Sequence, residues 1–283
     1  MIKIIDTFNS ICEMKEKVVA EEVDILTLWK KYISPHPQVK ELCLQDSATY
    51  DFDKDVKPVI MNALSSDFKK LELAHTNFIS EIVKIEKQFY NTFPIKDDIL
   101  VYFYLGLANG AGWVTIVNNK QSVLLGVEKI VELNWHSEKR LVALMCHELA
   151  HVAHSVLRNE SLTKEFSTVR EKSIWHLYIE GFAQRYQQIL YGSEFYHQDR
   201  DGWLNWCQDN HEHICQEYLY RLINDLSTQD FFGDWVSFKG HSDVGYYLGC
   251  EFIKSIAGDY SVDSLAKLTM FEIQGLVIEF LGN

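Results

Sequence analysis

The stretch that most constrains this chain is Met145-Cys146-His147-Glu148-Leu149-Ala150-His151-Val152-Ala153-His154, inside an apolar run over residues 141–157 with helical spacing. Residues four apart leave an α-helix on the same face, so His147 and His151 can each aim an imidazole at a single ion. Glu148 is turned about 100° from His147 and lies three residues before His151, which sets its carboxylate beside such an ion rather than on it. A water held there would be polarised by the cation and deprotonated by the carboxylate. His147 and His151 therefore read as metal ligands and Glu148 as a general base. Ser137 and Glu138 supply a helix start, and the pattern ends near residues 158–159. The plainer reading is that His147, His151 and His154 line a wet groove or a satisfied core. Cys146 leaves the helix away from His147 and reads as core filler.

Around this helix the chain reads as α+β and mostly helical. Residues 1–95 are expected to form a helical scaffold or cleft wall, with helices over about 18–32, after Pro58 and over 71–89, and residues 96–283 a second domain. From Ile99 the period changes. Residues 99–105 are rich in β-branched and aromatic side chains, 113–117 and 122–127 follow as strands, and Asn118-Asn119-Lys120-Gln121 turns the last two. A small sheet thus precedes the motif helix. Gly110, Gly112 and Trp113 fall near its edge, where unpaired backbone groups can accept an extended peptide; ordinary hairpin glycines would look the same. Helices are expected again over 173–191, capped by Ser173 and stopped by Gly192, and over 209–226, 242–257 and 261–281. His211-Glu212-His213 is a solvated face rather than a metal site, because residues two apart do not face each other.

Composition excludes several classes of partner. A net charge of −13 with no dense basic patch speaks against nucleic acid and anionic membrane. There is no apolar run of about 18 residues and no signal-peptide pattern at the start, so a cytoplasmic location is expected. Six cysteines with no Cys-x-x-Cys pair read as free thiols.

Glu180 lies among apolar neighbours in Tyr178-Ile179-Glu180-Gly181-Phe182-Ala183; if buried it needs a partner, for which a metal would serve, and a salt bridge or an exposed edge of the helix is the plainer reading. Gly181 beside it admits another backbone. Gln184, a turn later, and His154 are candidates to hold a ligand from behind. His147-Glu148-x-x-His151, then Glu180-Gly181-Phe182-Ala183, then Gly245-Tyr246-Tyr247-Leu248-Gly249 resemble the gluzincin clan of metallopeptidases. The nearest likeness is a family of predicted zinc-dependent proteases of unknown function, and it covers about residues 99–257. The span from His151 to Glu180 exceeds that of thermolysin-like members and is similar to that of clostridial collagenases. The resemblance implies a zincin-like fold, one Zn²⁺ per chain on His147, His151 and Glu180, Glu148 as general base and a peptide or protein substrate. Tyr246, Tyr247 and His241 are candidates to stabilise the oxyanion; each would equally serve as aromatic core at a helix start. Two rival readings accompany this one. Glu72/His75 with Glu148/His151 would give the paired Glu-x-x-His units of a di-iron bundle, and a peptidase-like fold can serve as a non-catalytic binding module.

Overall fold

The computed structural model describes residues 1–20 and 24–282. Among these, the protein is α+β and mostly helical, with four strands and thirteen α-helices. The strands are β1 (Ile2–Asp6), β2 (Ile99–Tyr104), β3 (Trp113–Val117) and β4 (Lys120–Gly126). In the N-terminal half the helices are α1 (Phe8–Ala20), α2 (Ile25–Tyr32), α3 (Pro37–Asp46), α4 (Lys57–Leu64), α5 (Phe68–Thr92), α6 (Val127–Glu132) and α7 (Glu138–Arg158). There follow α8 (Val169–Tyr191), α9 (Trp203–Asp209), α10 (His211–Ile223), α11 (Val244–Ile256), α12 (Val262–Ala266) and α13 (Met270–Gly282). No helix is long and apolar enough to cross a membrane among the described residues. All six cysteines are free.

The sheet has the order β1-β2-β4-β3. β2 pairs in parallel with β1 and β4, and β3 runs antiparallel to β4. All six residues of β2 are buried, as befits a strand covered on both faces. Val117 pairs with Lys120 across Asn118 and Asn119, both with positive φ, 51° and 59°. That is the two-residue turn whose twist matches flanking strands.

β1 is an addition to the expectation, which has residues 1–95 mostly helical and places no strand there. Its apolar alternation lasts only over Ile2-Lys3-Ile4 before Ile5 breaks it, and its hydrogen bonds come from a strand remote in sequence: Ile2 is in register with Ile99. The strand carries the N-terminal stretch into the sheet. One compact unit is Met1–Gln88 with Lys96–Glu148, and the other is Phe89–Ile95 with Leu149–Asn283.

The helix expected over residues 18–32 includes residues 21–23, which lie outside the described residues; on either side α1 ends at Ala20 and α2 begins after Asp24, whose side chain accepts Thr27 N–H. α8 starts a turn earlier than expected. Thr168 caps it by accepting Glu171 N–H, Ser173 is buried within it, and Gly192 ends it at φ 78°. The segment 261–281 is two helices rather than one. Ser261 caps α12. At the start of α13, Thr269 N–H donates to Glu272 Oε2 at 2.8 Å and Glu272 N–H donates to Thr269 Oγ1 at 3.3 Å, a reciprocal capping box that begins a new helix.

Two contacts place the helices that carry the site. A Cβ on Gly181 of α8 would stand 2.2 Å from the carbonyl oxygen of Gly249 on α11, so these helices meet backbone to backbone, the use that the sequence suggests for Gly181. α7 is buried along most of its length, from Leu141 to Leu157. Leu141 N–H donates to Ser137 O, and Asn159, φ 56°, follows the last turn in the left-handed conformation.

Candidate metal centre

α7 carries His147 and His151 one turn apart with Glu148 next to the first, and α8 supplies Glu180. Among the described residues, His147, His151 and Glu180 form the one group of three whose ligand atoms all lie within 4.8 Å of one another. His151 Nε2 stands 3.2 Å from Glu180 Oε2, each side chain 12% exposed. Two donors about 2.0–2.1 Å from a tetrahedral zinc ion stand ~3.3 Å apart, so the His151–Glu180 spacing fits a shared cation. His147 is buried, as is Glu148. The donor set, two imidazoles and a carboxylate, suits a borderline-soft divalent ion with a coordination position left over.

Glu148 is crowded from one side. A Cβ on Gly112 would lie 2.7 Å from both Cγ and Oε1 of Glu148. Gly112 is therefore a close neighbour of the candidate base, and any larger residue there would have to displace the Glu148 side chain. Gly110 is fixed against β4, since a Cβ on Gly126 would stand 2.3 Å from its oxygen. Trp113 opens β3 and donates its indole N–H to Tyr104 Oη at 2.9 Å.

Several sequence candidates are engaged elsewhere. His154 is fully buried, stacked on Phe182 with ring centroids 4.1 Å apart and hydrogen-bonded to Tyr178 Oη. Burial holds its pKa well below the usual histidine value, so it is a neutral core residue. Gln184 donates to Gln187 Oε1 rather than to a ligand. Tyr247 pairs its hydroxyl with His211 Nδ1 at 3.1 Å, and burial pushes its pKa up. His241 stacks on Trp206 with centroids 3.9 Å apart. The ring of Tyr246 meets Phe232 edge-on.

His211 and His213 are half-buried rather than solvated, turned toward Tyr247 and Phe238 because their helix packs that face inward. Cys146 is buried, and burial pushes its thiol up to about 12, in keeping with core filler. Of the paired Glu-x-x-His units, His75 shares a hydrogen bond with Asp6 at 2.8 Å and stacks on Phe8, and neither it nor Glu72 belongs to the three-residue group.

His176 is a neighbour that the sequence reading overlooks. Its Nε2 lies 3.7 Å from Glu180 Oε1, and its ring stacks on Phe232 at 4.1 Å. It flanks the carboxylate on the side away from His151. The signal was present as His-x-x-x-Glu, the spacing at which helical side chains meet.

Comparison of the chain with protein-family models, with curated proteins and with solved structures finds no match.

Proposed function

We propose that the chain is a metal-dependent peptide hydrolase of the zincin kind, holding one zinc ion on His147, His151 and Glu180. The observation that carries this reading is the convergence of those three ligand atoms within 4.8 Å, with Glu148 adjoining the first ligand on the same helix. When bound, the ion supplies Lewis acidity and lowers the pKa of water there toward about 7. Glu148 accepts the proton of the attacking water and returns it to the leaving nitrogen. Gly112 limits the space open to that carboxylate. His176 flanks the outer oxygen of Glu180 and steadies the side that faces away from His151. An extended peptide is the substrate class that suits β3, which has a strand neighbour on one side among the described residues.

Two measurements test the reading together. Metal analysis of the purified chain is expected to give one zinc per chain, and the zinc-loaded protein is expected to cleave members of a peptide library unless a chelator is added. Two irons per chain, or a zinc-loaded protein that leaves the library intact while binding peptides, would overturn it in favour of one of the rival readings.

A further inference from the structure

The loop over residues 105–112 joins β2 to β3 and ends on the glycine that crowds Glu148. It is tied down from outside its own backbone. Glu128, in the first turn of α6 and 1% exposed, accepts Gly106 N–H on Oε2 at 2.7 Å and Ala108 N–H on Oε1 at 3.1 Å. The approach is close, because a Cβ on Gly106 would stand 2.6 Å from Glu128 Oε1. Asn109 accepts Leu107 N–H and donates to the Cys43 carbonyl and to Asp46. Gly126 N–H donates to the Ala111 carbonyl.

A buried carboxylate is costly unless it is well bonded. Here the bonding comes from backbone amides of the loop, and among the described residues Glu128 makes no ion pair. Lys129 is the cation within reach, and its ammonium bonds Glu132. Tyr104, Tyr32 and Cys43 face Glu128 from β2, α2 and α3 as neutral groups. Burial outweighs the amides and pushes the carboxyl up to about 7. An apolar or amide side chain would satisfy packing at this position more cheaply. What the carboxylate provides is two acceptors at once, one for each end of the turn.

We propose that Glu128 is a positioning residue: by clamping the amides of Gly106 and Ala108 it fixes the loop so that Gly112 stands against Glu148 and holds that side chain in its working orientation. The inference rests on the reading of Glu148 as the general base.

The test uses the full chain and Glu128→Gln. A glutamine keeps the size but offers one oxygen, and turns its NH₂ toward the other backbone donor. Amide exchange at Gly106 and Ala108, read by NMR, is expected to quicken about tenfold, the worth of one buried hydrogen bond, with Gly112 loosening alongside. Zinc content is expected to stay unchanged, and kcat to fall while KM holds. A second measurement needs no variant to fold: in the wild type the amide resonances of Gly106, Ala108 and Gly112 are expected to titrate together on either side of pH 7. Unchanged exchange in E128Q, or a Gly112 resonance that stays still while Gly106 and Ala108 move, would overturn the clamp. A loosened loop with undiminished kcat in an active enzyme would overturn the positioning role. Failure of the hydrolase reading would show separately, as a zinc-loaded wild type that cleaves nothing, and the exchange and titration would still decide the clamp.

Discussion

Glu148 and Glu128 are both buried carboxylates, and the chemistry asked of each differs. Glu148→Gln removes the proton acceptor but none of the three candidate ligands. Cleavage is expected to fall by about 10²–10⁴-fold, the usual scale of general-base catalysis, with zinc stoichiometry intact; a glutamine variant as fast as wild type would end the mechanism. Glu128 bears on stability. Its carboxyl, pushed up to about 7 by burial, keeps a proton in the folded chain at pH values where the unfolded chain has lost it. Its stabilising contribution is complete below the unfolded value and is lost as pH rises through the folded one. The denaturant midpoint of wild type, taken relative to E128Q, is therefore expected to fall between pH 5 and pH 8, and a relative midpoint that rises over that interval would contradict the assignment. His147, Glu148 and His151 were legible in the sequence because their relation is local, one turn of one helix. Glu180 was legible as a charge in an apolar helix that had to find a partner. Glu128 was not, because its partners are backbone amides of a loop that no side-chain pattern marks.

At the scale of elements, the sequence was clearest where a period is long or a turn is tight. The motif helix, the helix carrying Glu180 and the β3–β4 hairpin over Asn118-Asn119 lie close to their expected bounds. β1 was missed because five residues pairing in parallel with a remote strand leave too short a periodic trace. The break between α12 and α13 was written in Thr269-x-x-Glu272, but the surrounding apolar pattern hid it. Two glycines can be tested as element-level contacts. Gly181→Ala drives a methyl into the Gly249 carbonyl and is expected to cost roughly 1–3 kcal/mol, the range for overpacking, measured by denaturant unfolding. Gly112→Ala pushes against Glu148; the expected outcome is loss of cleavage with zinc retained, read by assay and metal analysis.

For the whole molecule, the candidate metal centre joins α7 to the next helix, α8, so an ion that binds the folded chain there stabilises it by mass action. At free zinc about 100 times its Kd the gain is about 2.7 kcal/mol, and chelation is expected to lower the melting temperature accordingly. In Glu180→Gln the ligand set loses its anion, and the chelator-induced drop is expected to shrink; a drop as large as in wild type would place the ion elsewhere.

β1 has a consequence for how the molecule is made. During synthesis its five residues emerge well before their partner strand, which lies about a hundred residues further on, Ile2 pairing with Ile99. The helices of that interval can coil as they appear, whereas the seam between β1 and β2 must wait for Ile99–Tyr104 to be translated. A ribosome stalled before that point would hold a chain whose opening strand is bare, and bare strands invite pairing with neighbours. Pausing in that window leaves β1 open to pairing with another chain.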